Sequence, residues 1–330
     1  MKAYQKTRRF AALDLGTNTT LLIIAEIRER GNFIVLDDQA RITRLGEGVD
    51  RAGILSENAQ RRTLAAIKDY AARCQELAVD EVVVVATSAL RDAANRAEFT
   101  KRLEQQSGLQ LRILSGEEEA RYSFEAVCGG LDLQGKKVLA VDVGGGSTEL
   151  IWGRDGKVDY WTSLQLGSVR LTERYLVSDP TTEQECIQVR LCIDQELGQR
   201  RDAFPFTKPQ VTVGIAGTFT TLAAITRGLT TYSHSEVHGS RLARAEVKRQ
   251  IGLFKEKTIS ERKQITGLDP GRADVILAGA LLIDRVMAFF EIKEVWVSDQ
   301  GVRYGVLYEM VKLRFPKAGA ETAIQGQGIR

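Results

Sequence analysis

Short apolar runs alternate along the chain with stretches of helical spacing. Residues 8–15 and 138–143 are rich in aliphatic side chains, and each is closed by Asp-x-Gly, the pattern of a buried strand running into a tight turn. After the first, TTLLIIAEI and FIVLDDQARITRL continue as strands of a meander. From Ser56 to Leu77 the spacing is helical, with Ser56 as N-cap, Glu57 in the first turn and Leu64, Ile67 and Ala71 on one face. EVVVVATSALRD reads as a strand entering a turn. A helix follows from Asn95 or Arg96 to Gln106, closed by Gly108, then the strand LQLRILS and a helix from Glu117 to Cys128.

The cycle then restarts. VLAVDVGG is a strand, and ELIWGRDGKVDYWTSLQ a hairpin turning at Asp155-Gly156. Helices are predicted over Gly167 to Leu176, Thr182 to Arg201, Ala243 to Phe254 and Arg272 to Phe290. VTVGIAGTFTTLAAI is a strand, a glycine turn and a helix, and EVWVSDQGVRYGVLYEMV a strand, a turn and a helix. The two cycles share sequence as well as pattern. FAALDLGTNTTLLI laid without gaps over VLAVDVGGGSTELI matches Ala12, Asp14, Gly16, Thr20, Leu22 and Ile23 to Ala140, Asp142, Gly144, Thr148, Leu150 and Ile151. One position differs in kind: Leu21 lies opposite Glu149. Two α/β halves, each opening on the same strand and turn, are the implied architecture, and no Pro/Gly-rich linker separates them.

Composition narrows the class. The chain has 330 residues, 43% hydrophobic and 27% charged, which suits two globular domains. Its apolar runs fall short of the roughly 20 residues of a membrane span, and MKAYQKTRRF lacks the apolar core of a signal peptide. Four scattered cysteines without a C-x-x-C pair argue against a disulfide scaffold or a cysteine zinc site and point to the cytoplasm. A net charge of +3 is too mild for a nucleic-acid protein. The basic run from Arg241 to Lys263 reads as a solvated helix surface, or alternatively as a track for a polyanion.

The repeated turn carries the candidate chemistry. Glycine admits close approach of an anion, and successive amides in such a turn form an anion-binding nest. Gly16, Thr17, Asn18 and Thr19 in the first copy, and Gly144, Gly145, Gly146, Ser147 and Thr148 in the second, are the phosphate-binding candidates. The bland alternative is two hairpin turns with glycine for geometry alone. Neither copy is a Walker loop or a Rossmann fingerprint, since the Gly-Lys-Ser/Thr and G-x-G-x-x-G spacings are missing. Asp14 and Asp142 beside phosphate oxygens call for a bridging cation, and an all-oxygen set suits Mg²⁺ or Mn²⁺, with Asp14, Asp142 and Glu149 as metal candidates. Glu149 is also placed to orient a water. In SGEEEAR three glutamates favour a helix N-terminus by charge alone. Arg91 in ATSALRD is either a bidentate phosphate ligand or a loop arginine pairing Asp92. His234 and His238 have no third metal ligand nearby, which favours a structural role.

With DLGTNTT, ATSALRDAAN, ILSGEEEARYSF, VDVGGGSTELI, LGSVRLTERYL, IAGTFTTLA, VHG and GLDPGRADVILAGA in this order, the chain resembles the exopolyphosphatase/guanosine pentaphosphate phosphohydrolase family from about Arg9 to Met310. That family lies within the actin, Hsp70 and sugar-kinase superfamily. The resemblance implies two ribonuclease-H-like domains with the site in the cleft between them. The first would span 1–125, completed by the C-terminal helix 303–316, the second 126–302, with a loose tail 317–330. It implies Glu119 as the base that activates water, Asp142 and Glu149 as residues linked to Mg²⁺ and the attacking water, and Arg91 as a phosphate contact. A homodimer is the family expectation. Two departures stand out: relatives often have Arg or His where this chain has Leu21, and longer members carry an HD-type domain beyond the point where this sequence ends. Weaker processivity on long substrates is expected from the second.

The expected activity is release of terminal orthophosphate from inorganic polyphosphate by Mg²⁺-assisted attack of water. The alternatives are hydrolysis of guanosine pentaphosphate on the same site, a superfamily kinase or ATPase, and a non-catalytic polyphosphate or alarmone sensor. No nucleic-acid or membrane partner is expected.

Overall fold

The computed structural model describes residues 8–28, 32–205 and 208–314. The chain divides into two compact units, Met1–Gly130 with Val302–Arg330, and Leu131–Gly301. The sequence-based boundary at 125/126 falls inside the helix Gly116–Gly130, which belongs whole to the first unit. The expected tail 317–330 lies outside the described residues.

The first unit holds β1 (Arg8–Leu15), β2 (Thr19–Ile27), β3 (Phe33–Ile42), β4 (Glu81–Ala86) and β5 (Leu111–Ile113) in a sheet of order β3-β2-β1-β4-β5. β1, β2 and β3 form the antiparallel meander, and β4 and β5 run parallel to β1. Side chains of a strand alternate between faces, and β1 uses both. Ala11, Leu13 and Leu15 join Ile67, Phe99 and Leu103 of the helices Glu57–Glu76 and Arg96–Ser107. Phe10 and Ala12 join Tyr122 and Leu307 of the helices Gly116–Gly130 and Val302–Arg314. The last two helices pack so closely that a Cβ on Gly305 would stand 2.1 Å from the Tyr122 carbonyl oxygen. Arg303 donates to both carboxylate oxygens of Asp38 at 3.1 Å, and the Tyr304 hydroxyl donates to the same group at 2.9 Å. The C-terminal helix is thus pinned to β3 by charge and to β1 by apolar packing.

The second unit repeats the plan. Its strands are β6 (Val138–Val143), β7 (Thr148–Arg154), β8 (Lys157–Leu164), β9 (Val211–Ile215), β10 (Arg241–Ala243) and β11 (Glu294–Val297), in the order β10-β11-β9-β6-β7-β8. Read from β8 to β11 this is the order of the first sheet, with β10 added antiparallel at the edge. The hairpin turn falls at Asp155-Gly156, both with positive φ (50° and 77°), as a type I′ turn requires. Two ribonuclease-H-like domains of one topology therefore underlie the sequence repeat.

Local departures have local causes. The expected long helix from Arg272 starts at Ile276, because Pro270 and Gly271 sit in a 3₁₀ turn capped by Asp269. ATSALRD does not stay a turn: Ser88–Asp92 closes into a short helix. No glycine turn separates β9 from the helix Ala216–Arg227; Ala216 itself takes φ 71°. A non-glycine residue held there is strained and sits where the surrounding fold dictates. Half of the basic side chains from Arg241 to Lys263 are taken up by acids. Arg241 pairs Glu294, Arg244 pairs Asp284, Arg249 pairs Glu246 and Lys255 pairs Glu183. Arg262 is buried against the carbonyls of Phe254 and Ala273. This favours the solvated-surface reading over a polyanion track.

Candidate active site

Both repeated turns follow a parallel central strand at its C-terminal end, the usual place for ligands in such sheets. They share one backbone geometry. The Gly16 amide donates to the Thr19 carbonyl and the Gly144 amide to the Ser147 carbonyl, each at 3.0 Å. A Cβ would meet those same carbonyl oxygens at 2.9 Å and 3.1 Å, which accounts for glycine at both positions.

Neighbouring segments brace each turn through its carbonyls. In the first, Gly46 donates to Thr17 at 2.8 Å, and Thr43 and Arg44 donate to Asn18 at 3.1 and 2.9 Å. The Thr17 hydroxyl bonds that of Ser88 at 3.1 Å. In the second, the opening of the helix Ser168–Tyr175 does this work. Ser168 donates to Gly144 at 3.0 Å, Val169 to Gly145 at 2.9 Å, and the Arg170 side chain to Gly146 at 2.7 Å. Among the described residues no acceptor takes the amides of Thr17 and Asn18, or those of Gly145, Gly146 and Ser147. Buried or half-buried amides without acceptors are costly in a fold. Several in succession make a nest for anionic oxygens. The Asn18 side chain is 6% exposed, and its amide group likewise has no partner among the described residues. Thr148 serves otherwise than as a phosphate donor: its hydroxyl is fully buried and donates to the Leu166 carbonyl at 2.7 Å, fixing the turn.

The strand register gives meaning to the sharpest sequence difference between the repeats. Asp14 pairs across to Leu21, and Asp142 pairs across to Glu149. Directly opposed residues share a face and lie close, so the second unit sets two carboxylates side by side, 7% and 1% exposed. Ser163, next across on β8, donates to Glu149 Oε1 at 2.8 Å and orients it. Facing buried carboxylates repel unless a cation or a proton sits between them. An all-oxygen pair beside an anion nest fits Mg²⁺ or Mn²⁺. Asp14, 7% exposed, holds the equivalent place in the first unit.

The three glutamates of SGEEEAR divide their labour. Glu117 is exposed. Glu118 forms a capping box, accepting from the Ser115 amide at 2.8 Å while Ser115 Oγ accepts from the Glu118 amide at 3.1 Å. Glu119 turns inward, 7% exposed, and accepts from Arg91 Nη1 at 2.5 Å. Arg91 therefore pairs Glu119 rather than Asp92. The same Nη1 also reaches the Leu114 carbonyl at 3.1 Å. Nε and Nη2 of Arg91 make no hydrogen bond among the described residues, so the forked edge that grips phosphate stays available.

The model of the Ppx/GppA phosphatase family matches residues 23–314. The chain belongs to this family. It is 37% identical over 290 residues to Exopolyphosphatase 2 of Mycobacterium tuberculosis, covering 84% of this chain and 89% of that one. Among solved structures, a family member from Aquifex aeolicus matches with TM-score 0.78 at 35% identity, over 93% of this chain and 99% of that chain. An exopolyphosphatase from Cytophaga hutchinsonii matches with TM-score 0.86 at 27% identity, over 96% and 100%.

Sequence reasoning missed two features of these edges. Arg170 in LGSVR braces the second turn, and the LGS glycine is the signal that marks it. A Cβ on Gly167 would stand 2.3 Å from the Gly145 carbonyl oxygen, so only glycine lets the helix reach the turn. The histidines also have a third neighbour, Asp299, brought in from the end of β11. The expectation that no third ligand lies nearby is thereby corrected.

Proposed function

We propose that the chain is an exopolyphosphatase that releases terminal orthophosphate from inorganic polyphosphate by attack of water. The observation that carries this reading is the set of acceptor-free amides in both copies of the Asp-x-Gly turn, which suits a substrate with successive phosphates. The likeness to Exopolyphosphatase 2 supports the same substrate class.

The roles follow from the groups on each edge. Amides of Thr17 and Asn18, and of Gly145 to Ser147, donate to non-bridging oxygens, as does Thr19 at the rim of the first turn. Arg91 holds Glu119 with Nη1 and offers its Nε/Nη2 edge to a phosphoryl oxygen. Glu119 takes a proton from the water as its oxygen bonds to the terminal phosphorus. The bridging P–O bond breaks, and the leaving phosphate takes its electron pair. Asp142 and Glu149 would hold Mg²⁺ or Mn²⁺ in the second unit, and Asp14 offers the equivalent carboxylate in the first; the ion when bound neutralises charge on the phosphates. Four free thiols suit a reducing cytoplasm, and no described helix is long and apolar enough to cross a membrane.

Phosphate release with Mg²⁺ from matched concentrations of short polyphosphate, long polyphosphate, guanosine pentaphosphate and ATP tests the reading, with Glu119→Gln beside the wild type. Release from polyphosphate that vanishes in the variant is the expected result. Release from guanosine pentaphosphate alone would move the substrate to the alarmone, and binding without release would make the chain a sensor.

A further inference from the structure

A second cluster of ligating side chains lies in the second unit. His234 opens the short helix His234–Val237, and His238 caps it with its amide on the His234 carbonyl at 2.8 Å. The segment is fastened to β11: Gly239 donates to Val297 and Val297 to Ser240, both at 2.8 Å. Asp299 follows β11 directly, its neighbour Ser298 held to Gly214 at 2.9 Å. Backbone bonds thus fix all three residues relative to one another.

The side chains converge. The imidazole rings stack with centroids 5.1 Å apart and planes within 10°. His234 Nδ1 lies 2.6 Å from Asp299 Oδ2, and His238 Nδ1 lies 3.1 Å from Asp299 Oδ1. One ligating atom from each residue falls within 4.8 Å of the other two. The Asp299 side chain is only 7% exposed; its Oδ2 also accepts from the Tyr232 hydroxyl at 3.1 Å, while Oδ1 faces His238 Nδ1 without a well-aligned hydrogen bond. A buried carboxylate oxygen left without a well-aligned donor is expensive. An imidazole nitrogen 3.1 Å away is at the separation of two neighbouring ligands on one ion with bonds of about 2.0–2.2 Å.

We propose that His234, His238 and Asp299 bind a divalent transition ion of the Zn²⁺ class. Two imidazoles select such an ion over Mg²⁺ and Ca²⁺, which prefer oxygen. Asp299 supplies the anionic ligand. The remaining coordination position opens to solvent past His234, whose side chain is 32% exposed. Asp299 stands at the C-terminal end of β11, which runs parallel to β9 as β9 does to β6, so the ion would lie on the same sheet edge as the turn 144–147. It is separate from the carboxylate pair Asp142 and Glu149.

The test uses the full chain, stripped with a chelator and titrated with Co²⁺ in excess Mg²⁺, read by visible absorption and by bound-metal stoichiometry. One equivalent of Co²⁺ with low-symmetry d–d bands, displaced by Zn²⁺, is expected in the wild type and equally in the Asp142→Asn/Glu149→Gln protein. Loss of one ligand should weaken binding at least about 100-fold in His238→Gln and Asp299→Asn, since even outer-sphere changes cost about 10–100-fold. Metal-free melting checks that the variants fold, and the more exposed His234→Gln serves if His238→Gln does not. The proposal fails if Mg²⁺ displaces the cobalt, if the histidine variants bind within threefold of wild type, or if binding is lost in the Asp142→Asn/Glu149→Gln protein. Because nothing in the readout depends on turnover, failure here leaves the exopolyphosphatase reading untouched, and the reverse holds as well.

Discussion

Replacing Glu119 by Gln keeps the side-chain volume and removes both the charge and the ability to take a proton. The structural cost comes from the pair with Arg91, whose side chains are 21% and 9% exposed at 2.5 Å. Two unit charges centred about 4 Å apart attract by about 4 kcal/mol at an effective dielectric near 20. Much of that is offset by desolvation and by the partial exposure of Arg91, leaving a net loss of about 1–2 kcal/mol. In a domain of this size that lowers Tm by roughly 3–6 °C, and the protein stays folded at 25 °C. A general base contributes about 10²–10⁴ in rate, so kcat should fall about a thousandfold while polyphosphate binding stays within a few-fold. The stability change is too small to mimic that loss. Phosphate release, equilibrium polyphosphate binding and a melting curve on one preparation separate the effects. Glu118→Gln is the control: it disturbs the capping box by about 1 kcal/mol and should leave kcat intact. A Glu119→Gln protein with more than a tenth of wild-type kcat would refute the base assignment, and equal losses in both variants would reduce the motif to a helix terminus.

Three further outcomes are expected. Glu149→Gln should raise the Mg²⁺ concentration needed for half-maximal phosphate release at least tenfold, since one of two facing carboxylates is lost; an unchanged metal dependence would separate Glu149 from the metal. Gly167→Ala places a Cβ 2.3 Å from the Gly145 carbonyl oxygen, so the turn must shift; turnover should drop more than tenfold and the melting temperature should fall as well, since backbone atoms cannot yield cheaply, and unchanged turnover would show that the turn tolerates displacement. Burial raises the Glu185 carboxyl, but hydrogen bonds from Thr182, Ser178 and Val177 outweigh this and hold it at about 2 against 4.5. Its stabilising effect is therefore complete above the unfolded value of 4.5 and is lost as pH falls toward about 2; Glu185→Gln should flatten the acid limb of a Tm-against-pH curve between these limits, and an unaltered limb would count against the linkage.

The strand repeat was legible in the chain because Asp-x-Gly at the end of an apolar run is a local signal, whereas the facing of Asp142 and Glu149 came only with the register of β6 and β7. Partnerships across long sequence distances were not legible. Arg91 had a carboxylate beside it at Asp92, and nothing local told that the helix from Gly116 would bring Glu119 to it instead. Asp299 reaches the histidines only because β10, which follows them, pairs with β11 in the sheet, a pairing that no periodicity encodes. The direction of a hydroxyl escaped for a different reason. Ser147 and Thr148 look alike as donors in GGGST, but strand alternation turns Thr148 inward, and the Leu166 carbonyl that receives it belongs to a loop after β8.

The helix Val302–Arg314 closes the first unit's core after the whole second unit has intervened. On a ribosome this reverses the order of assembly. Residues 131–301 leave the exit tunnel as one continuous segment able to form their own sheet. The earlier-made strands of the first unit wait with Phe10, Ala12 and Ile23 only partly covered, by Tyr122 and Ala126, until Leu307 and Met310 arrive. At about 5–20 residues per second that interval lasts roughly 10–40 s. During it the nascent N-terminal sheet presents an apolar face, making it the stretch on which trigger-type chaperones would dwell longest.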